Sequence, residues 1–295
     1  MTLSDLAALT GLGWDTVKDI VKARLEKDYG QPRLKELKRL SIDEIYVGRR
    51  RKFYTLVIDL DSGRVVWVAH GRGGDTLRKF WRALRLSKAR IEAVSMDLSP
   101  AYQKGVRETC RNAQVVFDKF HVIAHANQAG DQVRRAEVRL GGAGVWEALR
   151  RSQWLWRKNP ENLTESEQAR LATLKNKQLA TAKAYPMRLV LQDIYRSVSA
   201  PVARRRFRVW CRWVRWAARH QPRNLLRSMV KVAGLVEQHL TGILAHWKWG
   251  VTNAFLEGLN SVFSATKRKA RGYRSTTHLI TMLYFTAGKL RLPQF

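Results

Sequence analysis

The chain has 295 residues, 45% of them hydrophobic, which is enough for one large domain or two ordinary ones with a real core. Lys and Arg number 55 against 24 Asp and Glu, a formal net charge of +31, and such an excess repels itself unless a polyanion is near, so nucleic acid is the expected partner. Only Cys110 and Cys211 occur, which excludes a disulfide framework or a Cys-based zinc site, and no apolar run is long enough to span a membrane.

The opening residues carry no basic leader, so a reducing, cytoplasmic setting beside the nucleoid is expected. Residues 1–30 read as two short helices. Leu3, Leu6, Ala7 and Leu9 form a helical stripe, "TGLG" at 10–13 breaks it, and Val17, Ile20, Val21 and Leu25 resume it. Ala7, Gly11 and Val17 stand where a helix-turn-helix places a small residue, a turn glycine and a core aliphatic. That unit lays its second helix in the major groove, here Trp14–Arg24, with Lys18 as a candidate DNA contact. An ordinary helical hairpin gives the same pattern.

Residues 31–125 change character. "LSIDEIYV", "KFYTLVIDLDSG" and "RVVWVAHG" are β-rich, with "DSG" as a turn. "DTLRKFWRALRL" reads as a helix capped by Asp75, "IEAVSMDLS" as a strand, "PAYQKGVRETC" as a helix opened by Pro100, and "AQVVFDKF" as a strand. The order β-β-β-α-β-α-β predicts a mixed α/β sheet with helices on its faces.

Residues 126–250 read as a basic helical domain. Arg205, Arg208, Arg212, Arg215 and Arg219 recur at three- and four-residue steps beside Phe207, Trp210 and Val214. No acid lies within 194–236 to pair with these arginines, so they read as phosphate contacts and the tryptophans as core. The competing reading is a solvated charged face over a Trp-rich core.

Residues 251–295 return to an amphipathic helix whose buried face is Phe255, Leu256, Leu259, Val262 and Phe263. Glu257, Asn260, Ser261, Ser264 and Arg268 share the other side. Glu257 is the only acid after Glu237, and Lys267, Arg268, Lys269, Arg271 and Arg274 follow it as candidate DNA contacts.

Among the acids, Asp43 lies within a strand and Asp97 at the end of one, and burying a carboxylate is costly unless something pairs with its charge. Glu44 points to the opposite sheet face from Asp43 if the strand is regular. Asp59 and Asp61 flank a turn, their ordinary place. Asp118, after "QVVF", is the main rival. On spacing alone each of Asp43, Asp97 and Glu257 is as easily structural as functional.

The segments "LSIDEIYVGRRRKFYTLVIDLDSGRVV", "VSMDLSPAYQKGV", "VVFDKFHVIAHANQA" and "NAFLEGLNSVFSATKRKARGYRS" occur in order over roughly residues 40–285. Together they resemble the catalytic region of the ISL3 family of bacterial insertion-sequence transposases. The resemblance implies an RNase H-like sheet interrupted by a large helical insertion, and an acidic triad of Asp43, Asp97 and Glu257 as catalytic metal ligands. It implies two Mg²⁺ or Mn²⁺ ions, double-stranded DNA (element ends and target) as substrate, and a homo-oligomer assembled on DNA. Asp118 and His121 match an Asp-x-x-His element, whose His reads as a neighbour of DNA or of the active site, or as a plain helix-start residue. Family members usually carry a Cys-rich zinc-binding module before the helix-turn-helix; those cysteines are not in this sequence, and a truncated copy, a misassigned start and a shorter lineage each fit that. The alternatives are a DNA-binding remnant acting as a repressor, or an RNase H-like nuclease without strand transfer.

Overall fold

The computed structural model describes residues 3–29, 34–47, 52–250, 258, 261–265, 268 and 276–287. The backbone forms two compact units, residues 1–116 with 251–295, and residues 117–250.

The first unit begins with α1 (Leu3–Thr10) and α2 (Trp14–Tyr29), joined through Gly11 at φ +70°. A left-handed φ of that kind suits glycine, and it lets the chain reverse within the short break "GLG". Then come β1 (Arg39–Val47), β2 (Lys52–Asp59), β3 (Arg64–His70), α3 (Arg78–Ser87), β4 (Ala93–Met96), α4 (Pro100–Thr109) and β5 (Gln114–Phe117). The sheet order is β3-β2-β1-β4-β5. Strands β1, β2 and β3 pair antiparallel, and β4 runs parallel to β1. This is the RNase H-like α/β arrangement expected from the resemblance.

Alternation along the strands sorts the side chains between two faces. On one face, Tyr102 of α4 donates to Glu44 Oε1 (2.6 Å) and lies 3.1 Å from Thr55 Oγ1, while Phe80 of α3 packs on Trp67 of β3. Glu44 therefore does point away from Asp43's side, into the layer under α3 and α4. Those helices meet where residue 105 is glycine; a Cβ there would sit 2.5 Å from Trp81 Nε1.

The opposite face holds Ile45, Tyr54, Leu56, Ile58, Val65 and Val68, in one cluster with Phe263 and with Leu279, Leu283 and Ala287 of the C-terminal helix Thr276–Ala287. Strand β3 is the sheet edge, and its Val68 N–H donates to Tyr284 Oη (2.9 Å). Burial pushes that phenol up to about 12. Val262, expected to be buried beside Phe263, is 43% exposed.

The second unit is helical: α5 (Lys119–Leu140), α6 (Ala143–Leu149), α7 (Glu165–Lys175), α8 (Ala180–Ile194), α9 (Ala200–Arg219), α10 (Arg227–Gln238) and α11 (Leu240–Trp249). Helix α5 packs on α8 and α10, and α9 on α8, α10 and α11. Buried Glu137 of α5 reaches the start of α8 and accepts from Ala180 N (2.6 Å), Thr181 N (2.8 Å) and Thr181 Oγ1 (2.7 Å). The two backbone donors are orphan N–H groups of a helix N-terminus, and a carboxylate there is favoured also by their partial positive charge.

Two local expectations are corrected. Asp75 does not cap α3; a short 3₁₀ turn, Gly74–Leu77, precedes the helix, and Asp75 instead binds Arg78. The strand expected to run to Phe120 ends at Phe117, because Asp118 caps α5 by accepting from Phe120 N (2.9 Å).

Candidate active site and nucleic-acid surfaces

The parallel pairing of β1 with β4 matches Arg39 to Ala93, Leu40 to Val94 and Ser41 to Ser95. Continued two residues, the same register sets Asp43 against Asp97, the first residue past β4. In-register residues of neighbouring strands share a face and lie about 5 Å apart along the hydrogen-bonding direction. Both carboxylates are half-buried. One oxygen of each is anchored locally: Asp43 Oδ1 accepts from Glu44 N (2.8 Å) and Asp97 Oδ1 from Ser99 N (2.9 Å).

Asp43 shares its face with Ile45, one alternate position along β1, and Ile45 is clustered with Phe263. The helical residues 261–265 therefore pack on the sheet face that carries the two aspartates. Glu257 itself lies outside the described residues, as do Lys267, Lys269, Arg271 and Arg274; Arg268 is helical and exposed. Among the described residues no three His, Cys, Asp or Glu groups come together as a metal site. The two aspartates nonetheless fit a hard divalent cation, since they offer carboxylate oxygens from adjacent, hydrogen-bonded strands.

Asp118 and His121 belong to the second unit. Asp118 is 7% exposed and caps α5, and His121 Nε2 is 3.6 Å from Asp118 Oδ2. Burial first, and then the nearby Asp118 charge, push the Tyr195 phenol up.

Two of the expected DNA-contacting cations have acidic partners. Lys18 Nζ is 2.6 Å from Asp15 and 3.5 Å from Asp19, and it sits over the Trp14 ring. The Asp15 carboxylate holds its ammonium above the usual range. Helix α2 carries Asp15, Asp19, Glu26 and Asp28 against Lys18, Lys22, Arg24 and Lys27, so it has no net charge to bring to a groove. Arg215 is bound in a fork by Glu237, one residue beyond the acid-free stretch, which corrects the expectation that no acid serves this ridge. Arg205, Arg208 and Arg212 are exposed, and none pairs with an acid among the described residues.

The tryptophans of α9 divide. Trp210 is 1% exposed, in the core with Phe207 and Val214, whereas Trp216 is 59% exposed. Sequence reasoning missed Trp216. A seven-residue repeat, legible in the chain, could have found it: Val202, Val209 and Trp216 alternate with Arg205, Arg212 and Arg219.

A protein-family model described as Transposase, for the ISL3 group of DDE enzymes, matches residues 40–283. The transposase for insertion sequence element IS1001 of Bordetella parapertussis is 28% identical over 267 residues, covering 89% of this chain and 64% of that protein. The transposase for insertion sequence element IS1557 of Mycobacterium tuberculosis is 30% identical over 304 residues, covering 94% of this chain and 66% of that protein. The chain thus spans about two thirds of the length of these relatives. Among solved structures, the Drosophila P element transposase strand transfer complex aligns with a TM-score of 0.42 and 12% identity, over 99% of this chain and 92% of that one. No helix among the described residues is long and apolar enough to cross a membrane.

Proposed function

The chain belongs to the ISL3 family of DDE transposases, and we propose that it cuts DNA at the ends of an insertion sequence and joins the freed ends to target DNA. The observation that carries this reading is the β1–β4 register, which supports Asp43 and Asp97 as one carboxylate pair on the face where residues 261–265 pack. Asp43, Asp97 and Glu257 are the proposed ligands of two divalent ions, Mg²⁺ or Mn²⁺. Divalent ions held by these carboxylates would supply Lewis-acid activation of an attacking oxygen and stabilisation of a leaving one.

The chain's own residues supply position and charge. The hydrogen bonds from Glu44 N and Ser99 N restrict how the two aspartates turn, so their negative charge is held in place before any cation binds. Arg205, Arg208 and Arg212 attract the DNA backbone without reading its bases. Arg268, with Lys267, Lys269, Arg271 and Arg274, is proposed to hold the strand beyond the site, and Asp118 with His121 to act as accessory groups. A homo-oligomer on double-stranded DNA follows from the two ends such a reaction must handle.

The test uses the full chain with labelled duplexes carrying the inverted repeats that flank its gene. The expected result is Mg²⁺- or Mn²⁺-dependent release of a labelled 3′ end that reappears covalently joined to target DNA. Cleavage without joining would identify a nuclease. DNA binding with no cleavage in either metal would identify a non-catalytic binding protein.

A further inference from the structure

Helix α9 presents a second stripe that its buried face does not explain. Val202 is 43% exposed, Val209 50% and Trp216 59%, each seven residues after the last, and exposed Arg205, Arg212 and Arg219 each follow one of them by three residues. An apolar position every seven residues on an exposed helix face is the seam of a coiled coil. Here the alternate seam position is arginine each time. A second copy of the same seam would bring like charges together, which opposes self-pairing. The partner must be anionic and must also offer flat or apolar surface.

Trp216 is set up to meet such a partner. His220 lies against its ring at a centroid distance of 4.5 Å, and His220 Nδ1 is 2.8 Å from the Trp216 carbonyl oxygen, so the imidazole backs the indole while most of the side chain stays open. Elsewhere in the same unit Trp154 is 68% exposed with Arg157 at 5.2 Å from its ring, and Trp146 is 48% exposed with Arg150 at 5.1 Å. Exposed indoles with cations beside them combine the two elements that hold unpaired strands: a platform on which a base stacks, and a charge for its phosphate. Duplex DNA offers phosphates to the arginines, but its bases are already stacked on one another.

We infer that the exposed stripe of α9 binds unpaired DNA, with a base stacked on Trp216 and phosphates on Arg205, Arg212 and Arg219. This rests on the reading of the chain as a DNA-processing enzyme and narrows its substrate to strand separated from duplex.

Fluorescence anisotropy of the full chain with a labelled oligothymidylate, and with a duplex of equal length, tests it. Trp216→Ala is expected to weaken oligothymidylate binding about tenfold, the loss of roughly one stacked base, and to leave duplex binding unchanged. Trp216→Phe should recover most of the loss. The ring is exposed, so its truncation leaves the core of the unit intact. Equal loss on both probes, or no loss on either, overturns the inference while the DNA-processing reading stands. So does an acidic helical peptide that binds the wild-type chain and loses affinity with Trp216→Ala while neither DNA does, which would assign the stripe to a protein partner. A wild-type chain that binds neither DNA overturns this inference together with the reading beneath it.

Discussion

Asp43→Asn is expected to slow DNA cleavage about 10³-fold, and Asp97→Asn by a similar factor, with DNA affinity unchanged or slightly higher. Each substitution keeps the side chain's shape and most of its hydrogen-bonding capacity but removes the charge that a divalent cation needs. Stabilisation of transition-state charge by a bound metal amounts to several kcal/mol, and about 1.4 kcal/mol corresponds to a tenfold change in rate. Affinity should not fall, because an anion is removed from a chain of net charge +31. The register also predicts non-additivity. Two carboxylates serving one site act as a unit, so the double variant should be little worse than either single one. Single-turnover cleavage measured beside equilibrium binding checks both points. Near-wild-type cleavage by either variant, or cleavage and binding lost in parallel, would remove that aspartate from the site.

The second large effect concerns salt. Replacing Arg205, Arg208 and Arg212 together by Ala should reduce the log–log salt slope of duplex binding by about 2.7, taking roughly 0.9 per phosphate contact. At low salt that is a loss of affinity common to all sequences, since phosphate contacts position the protein without reading bases. Arg215→Ala should change the slope less than any one of the three, because Glu237 already forms a fork with its guanidinium. The measurement is the dissociation constant across a salt series. An unchanged slope in the triple variant would leave these arginines as a solvated face only.

The sheet was legible because its signals are local. Apolar runs with period two, the "DSG" turn and Pro100 locate three of the five strands and both intervening helices near their observed limits, while the fourth, expected over "IEAVSMDLS", spans only Ala93–Met96. The fifth strand was drawn too long because "FDKF" keeps an apolar alternation, whereas the Asp118 side chain satisfies a helix N–H and wins. Asp75 was misread for a similar reason: a capping residue type stood before a helical run, but the chain made one 3₁₀ turn first. The pairing of Asp43 with Asp97 was only half legible. Composition marks both as costly acids in strands, but their juxtaposition depends on which strand lies beside β1, and that is a tertiary fact. The Arg215–Glu237 pair is not legible in the acid-free stretch 194–236, which stops one residue short of Glu237, and the contact joins α9 to α10, which is a tertiary fact. Trp216 and Trp210 look alike in sequence; they differ by six positions, which on a helix of 3.6 residues per turn turns one about 120° away from the other.

Asp43, Asp97 and Glu257 are proposed to converge, although 97 − 43 = 54 and 257 − 97 = 160 positions separate them in the chain. Iron-directed cleavage of the protein backbone tests this most directly. Fe²⁺ takes carboxylate oxygen ligands, and with ascorbate and peroxide it cuts nearby polypeptide. Convergence predicts cuts beside residues 43, 97 and 257, all suppressed by excess Mg²⁺ and all lost together in Asp43→Asn. Cuts beside 43 and 97 with none near 257 would contradict it.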